Sequence, residues 1–198
     1  MNVGVLALQG DVPEHFRALR RIVPERRIVW VRRPEDLAGV DALFLPGGES
    51  TTIADLLVTT GLWGPLKARL DRGLAVLATC AGLIVLAREM EASPGGRDPP
   101  TFGALDVRVR RNDYGRQRES FEAPVRVEGL TGPPFPGVFI RAPRILGLGP
   151  SATAIAWREE EIVGVRQGPL WGLTFHPELT DDLRLHRAFL RSASVVGR

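Results

Sequence analysis

The sequence predicts an α/β domain: a three-layer arrangement in which a mostly parallel central sheet is flanked by helices. Three observations carry this. Short continuous apolar runs recur at residues 3–8, 28–31, 42–45 and 74–78, as expected of strands buried on both faces. Stretches with helical spacing lie between them, giving the β-α-β units from which parallel sheets are built. The length of 198 residues and a hydrophobic fraction of 44% suit one compact domain, spanning residues 1–198, with a substantial core.

The elements follow in order. Residues 3–8 form a first strand, and Asp11 ends the apolar run too early for a signal peptide. Residues 11–22 carry Phe16 and Leu19, with Val23 just beyond, at helical spacing. The strand at 42–45 runs into Pro46-Gly47-Gly48 and then a helix start. A further helix covers 62–70 and leads into the strand at 74–78. That strand ends at a small-residue turn around Cys80, and an apolar helix begins at once. Residues 93–100, rich in Gly and Pro, read as a loop. From Leu105 the pattern turns mostly to strands, including 122–127, 138–140, 152–157, 162–165 and 170–175. A last helix follows Thr180, a candidate cap, with Asp181 and Asp182 suited to the positive end of its dipole.

Composition narrows the function classes. The net charge is only +3, from 26 basic and 23 acidic residues, and Lys67 is the sole lysine. No dense basic block with interleaved aromatics marks a nucleic-acid surface. The longest apolar stretch, 74–87, falls short of the ~20 residues that span a bilayer. One cysteine makes no internal disulfide, which points to a reducing, cytoplasmic setting. No His, Cys or acidic cluster has metal-ligand spacing.

Three segments could carry chemistry. In Ala75-Val-Leu-Ala-Thr-Cys80-Ala-Gly82, a nucleophile at a tight strand-to-helix turn projects from the strand end toward backbone N–H groups. The helix N-terminus favours its thiolate. In Phe175-His176-Pro-Glu178, the histidine and glutamate are two positions apart, so an extended segment would aim both the same way. Glu178 could then fix one tautomer of His176, leaving the other nitrogen to activate a thiol. In Pro46-Gly47-Gly48-Glu49-Ser50, glycine lets the backbone aim an N–H at a ligand. Taken singly, each has an ordinary reading: a core cysteine, a turn histidine beside a solvated glutamate, a Pro-Gly turn with Ser50 as helix cap. Together they gain weight. All three end apolar strands, where parallel sheets bind ligands.

With these segments in view, the chain resembles the class I glutamine amidotransferases, whose fold is flavodoxin-like. More narrowly it is similar to the glutaminase subunits of pyridoxal 5′-phosphate synthases. The resemblance covers nearly the whole chain. It rests on Leu6-Ala-Leu-Gln-Gly10, Leu45-Pro-Gly-Gly-Glu-Ser-Thr-Thr52, Thr79-Cys-Ala-Gly-Leu-Ile84, Arg111-Asn112 with Gly115-Arg-Gln117, Ser120-Phe-Glu122, Gly137-Val-Phe-Ile-Arg-Ala-Pro143 and Phe175-His-Pro-Glu-Leu-Thr180. Ala78 stands where the class usually carries glycine, and alanine is small enough for the turn.

The resemblance implies a triad of Cys80, His176 and Glu178. It implies glutamine binding by Gly48, Glu49, Ser50, Arg111, Ile140 and Arg141, with Gly48 and Ala81 supplying the oxyanion hole. It places Gln9 at the contact with a synthase subunit in a hetero-oligomer that makes vitamin B6. It implies no bound cofactor. An acidic and a basic partner for the α-amino and α-carboxylate groups of glutamine make chemical sense. The alternatives are a glutaminase of another pathway, such as imidazole glycerol phosphate synthesis, a cysteine peptidase of similar fold, or a binding module without catalysis. His15 is expected on the first helix, solvated or packing, with partner contact as the other reading. His186 is expected to border an apolar stripe.

Overall fold

The structure is a computed structural model describing residues 1–91, 97–111 and 120–196. Its first half alternates strand and helix: β1 (Val3–Leu6), α1 (Val12–Arg20), β2 (Ile28–Val31), β3 (Ala42–Leu45), α2 (Ser50–Thr59), α3 (Trp63–Asp71), β4 (Ala75–Thr79) and α4 (Ala81–Leu86). Strands dominate the second half: β5 (Ala87–Glu91), β6 (Leu105–Arg110), β7 (Phe121–Val127), β8 (Phe135–Phe139), β9 (Arg144–Leu148), β10 (Thr153–Arg158), β11 (Glu161–Gln167) and β12 (Leu170–Leu173). Helix α5 (Arg184–Val196) follows.

The main sheet has nine strands in the order β2-β1-β3-β4-β12-β11-β10-β7-β8. Pairing is parallel from β2 through β12, and antiparallel from β11 onward. The expected parallel sheet is therefore its first five strands, extended by hairpins from the strand-rich half. A second sheet, β5-β6-β9, stands beside it.

Alternation along the parallel strands makes the layers. Leu43 and Leu45 of β3, with Val76 and Ala78 of β4, pack toward Ile53 and Leu57 of α2, Leu66 of α3 and Leu83 of α4. Ala42 and Phe44, with Ala75 and Leu77, join Val12 and Leu19 of α1 and Leu185 and Phe189 of α5 on the other side. Both faces are covered, so these strands read as unbroken apolar runs. Burying a large apolar side chain fully is worth ~1.5–3 kcal/mol, so the two clusters fix the strand ends firmly.

Some local expectations change. The last helix is not capped by Thr180. Thr180 ends a 3₁₀ turn, Pro177–Leu179, and it is Asp182 Oδ1 that accepts the N–H of Arg184 at 3.0 Å. Thr180 Oγ1 instead accepts the N–H of Asp182 at 3.2 Å. Likewise Glu49, not Ser50, caps α2, accepting the Thr52 N–H at 2.8 Å. Much of the loop expected at 93–100, together with Asn112 and Gly115 to Gln117, lies outside the described residues.

Candidate active site

The carboxyl ends of β1, β3, β4 and β12 share one edge of the sheet, because all four run parallel. Cys80 follows β4 with φ 46° and ψ −105°, a conformation in which side chains are strained. Its N–H donates to the carbonyl of Leu173 at the end of β12, at 2.9 Å. Gly82 allows the tight start of α4: a Cβ there would fall 2.3 Å from the carbonyl oxygen of Leu45. The small residues of this turn thus let α4 seat against the end of β3. Sγ of Cys80 lies 3.8 Å from the carbonyl oxygen of Ile140.

His176 leaves β12 held by its own N–H, which donates to the Val138 carbonyl at 2.9 Å. Its Nδ1 lies 2.8 Å from Oε1 of Glu178. The pair does not meet across an extended segment, as the spacing suggested. The proline-started turn after His176 folds Glu178 back beneath the ring. Both side chains are buried. Nε2 of His176 makes no hydrogen bond of ordinary geometry among the described residues. Burial alone would lower the His176 pKa. The Glu178 charge, then the polar contacts with Asp11, Cys80 and Glu178, outweigh it and hold the imidazolium well above its usual range. Glu178 moves the opposite way. Burial opposes its charge, but the charges of His15 and His176 and the His176 hydrogen bond bring its carboxyl down to about 2.

Three contacts here escaped the sequence reading. His15 of α1 is wholly buried, neither solvated nor at a surface, with Nε2 3.4 Å from Oε1 of Glu178. Thr79, the last residue of β4, has Oγ1 3.4 Å from the same oxygen and 3.3 Å from His15 Nε2. Asp11 Oδ2 lies 3.2 Å from His176 Nδ1. The helical pattern of residues 11–22 carried the only signal, since it set Asp11 and His15 just beyond a strand end. His186 is buried as expected, stacked on Phe44 with ring centres 5.6 Å apart and 6.0 Å from His15. Asp11, His176 and Glu178 bring three potential ligand atoms within 4.8 Å, a cluster that linear spacing does not reveal. Both carboxylates converge on one ring nitrogen, which suits a shared proton.

A cleft of about 150 Å³ opens over Cys80 and His176. Gly48, Glu49, Ser50, Ala81, Arg111, Ile140 and Arg141 all border it, as do Asp11 and Ile84. Its size suits an amino acid and is small beside the ~300–1,000 Å³ of sites for larger ligands. Arg111 and Glu49 form an ion pair at 2.8 Å across one wall. Ile140 is part-exposed at the end of β8, and Arg141 turns the chain there with φ 44°. Glu178 sits behind His176, outside the cleft lining.

Gln9 is not part of the lining. Its Oε1 accepts the N–H of Glu49 at 2.9 Å, bracing the Gly47-Gly48 loop from the β1 side. Gly48 has φ +148°, and a Cβ there would meet that Oε1 at 2.4 Å. Ala81 is the first residue of α4, where a backbone N–H has no intrahelical acceptor.

Among the described residues, no helix is long and apolar enough to cross a membrane.

Comparison with known proteins agrees with this architecture. A relative from Thermococcus onnurineus, "Pyridoxal 5'-phosphate synthase subunit PdxT", is 51% identical over 98% of this chain and 99% of its own length. One of the same name from Streptomyces coelicolor is 52% identical over 94% of this chain and 91% of its own. A solved structure titled "Crystal structure of glutamine amidotransferase" superposes with a TM-score of 0.89 at 47% identity, covering 98% of this chain and 100% of that one. PurLQS from Thermotoga maritima shares the fold, with a TM-score of 0.65 at 16% identity. The model of the SNO glutamine amidotransferase family matches residues 5–195, and the chain belongs to that family.

Proposed function

We propose that this chain is the glutaminase subunit of a pyridoxal 5′-phosphate synthase. It hydrolyses L-glutamine to L-glutamate and delivers the ammonia to a synthase subunit. Identity of about half to curated relatives of that name, over nearly the full chain, supports the assignment. The observation that carries the chemistry is one cleft combining the sole cysteine, a histidine paired with a buried carboxylate, and a facing Glu49–Arg111 pair. That ion pair offers both charges a zwitterionic amino acid needs: Glu49 for the α-amino group and Arg111 for the α-carboxylate. It also favours free glutamine over an internal peptide residue, which has neither charge.

In this reading the Cys80 thiolate attacks the side-chain amide carbonyl of glutamine. N–H groups of Gly48 and Ala81 stabilise the oxyanion, and Ser50, Ile140 and Arg141 complete the substrate wall. His176, kept protonated by its carboxylate partner, gives its proton to the leaving nitrogen. The C–N bond breaks, and ammonia and a glutamyl thioester remain. Water, deprotonated by His176, then attacks the thioester; glutamate leaves and the thiol is restored. Ammonia passes into the synthase, which joins it with a pentose phosphate and a triose phosphate. The chain itself uses no cofactor.

Gln9 and the glycine loop lie where a docking subunit could set the oxyanion donors. Losing one such donor costs ~10²-fold or more, so one peptide reorientation is switch enough. The test measures glutamate release at saturating glutamine, with and without the synthase, and with Cys80→Ser as control. Slow release alone, a higher rate with the synthase and none from the serine variant are expected. Equal rates with and without synthase would remove the coupling. Turnover by Cys80→Ser at the wild-type level would remove the triad.

A further inference from the structure

Asp11 is a charged group in the cleft to which this reaction gives no task. It occupies the N-cap of α1, where an aspartate ordinarily accepts an N–H of the first turn, yet its side chain makes no such bond. It turns the other way. Oδ2 lies 3.2 Å from Nδ1 of His176, the nitrogen that also faces Glu178 at 2.8 Å. The side chain is 33% exposed and borders the cleft, whereas the Glu178 side chain is fully buried. Asp11 is also held from its backbone, whose N–H donates to the Gly47 carbonyl at 3.1 Å. Gly47 leaves the space this contact needs. A Cβ there would sit 2.9 Å from Oδ2 of Asp11 and 2.3 Å from Cε1 of His176.

We propose that Asp11 is a second carboxylate partner of His176, a positioning residue that acts through the imidazole to keep Cys80 as a thiolate. This rests on the triad assigned above. The groups facing His176 are Glu178 from the turn that follows it, Asp11 from the start of α1 and Cys80 from the start of α4. His15 of α1 lies behind Glu178, 3.4 Å from its Oε1, and burial is the chief cause that lowers the His15 pKa. Against the cost of burial, Glu178, Asp11 and Cys80 each favour the proton on His176. The carboxylates divide the work. Glu178, shielded from water, fixes the ring. Asp11, nearer solvent, adds charge where the thiolate–imidazolium pair must form, at the price of a helix cap.

The test exploits the single cysteine, since iodoacetamide then reports on Cys80 alone. Its second-order labelling rate is measured from pH 5 to 10 on the full chain, without glutamine, for the wild type and Asp11→Asn. Loss of a charge near an ion pair shifts titration by about one unit, less when part-exposed, so a drop of about 3–10-fold at neutral pH is expected. The rates should converge at alkaline pH, where any thiol ionises. Asp11→Ser removes the charge with a shorter side chain and, since Asp11 makes no cap bond, should behave the same without lowering the thermal midpoint. Superimposable profiles overturn the proposal while leaving the triad in place. A uniform drop at every pH together with a lowered midpoint also overturns it, by showing a packing role. A wild-type profile like that of a free thiol overturns both this inference and the triad beneath it.

Discussion

Gly47→Ala puts the imidazole under direct pressure without substituting any residue of the proposed triad. The new methyl carbon would lie 2.3 Å from His176 Cε1 and 2.9 Å from Nδ1. Ordinary carbon contacts begin near ~3.5 Å, so the ring must retreat by about 1 Å. It has little room, because the backbone N–H of His176 is tied to the Val138 carbonyl and the ring Nδ1 lies only 2.8 Å from Glu178 Oε1. A displacement of this size in a reacting group costs ~10²-fold in rate. Turnover in the presence of the synthase should therefore fall by about that factor, with the fold retained by circular dichroism. Labelling of Cys80 by iodoacetamide should fall with it, because the thiolate loses its partner. Near wild-type turnover, with the substitution verified by mass spectrometry, would refute the placement of His176 as the acid–base group.

His176→Asn should cost at least ~10²-fold in turnover, the lower end for loss of a positioned acid–base group, and Glu178→Gln should cost less. A more damaged Glu178 variant would reverse those roles. His186→Phe should stabilise the chain, because both ring nitrogens of His186 are buried without partners among the described residues while its face stacks on Phe44. Removing one such penalty is worth ~1 kcal/mol, or about 2–4 °C in Tm for a chain of this size. Burial, then His15, brings His186 from its ordinary 6.5 to about 3. Folding thus disfavours its proton, and stability declines as pH falls from 6.5 toward 3. The gain from phenylalanine should be larger at pH 5 than at pH 8 in thermal melts, and a lower Tm at both would contradict this account.

What could be read in the sequence follows a physical division. The parallel strands were visible because burial on both faces leaves an unbroken apolar run, and the elbow at Cys80 because a strand, a small-residue turn and a helix abut there. His176 and Glu178 were legible as a pair because they are neighbours, although the 3₁₀ turn joining them was not. Contacts made by folding were silent. Asp11 and His15 reach His176 and Glu178 only because α1 packs against β1 and the turn after His176, some hundred and sixty residues away along the chain. Arg111 and Arg141 stand among many arginines, and only the resemblance singled them out. Glu49 gave no sign that it both caps a helix and faces Arg111. The short length of α4 was hidden as well, since its apolar run passes straight into β5, whose partners are β6 and, through it, β9.

The position of β12 has a consequence for how this protein is made. It is the last strand in the chain, yet it lies in the middle of the main sheet, paired with β4 on one side and β11 on the other. Until it emerges from the ribosome, the parallel half and the antiparallel half have no strand to join them. Each presents an open edge that invites pairing with other chains. The Leu173 carbonyl that anchors the Cys80 backbone arrives with that strand, and His176 three residues later. In the proposed reading, the nascent chain therefore carries its thiol long before the base that would arm it. On that reading, synthesis itself keeps the cysteine idle until most of the chain is in place, and early termination would leave a sticky fragment with no hydrolytic power.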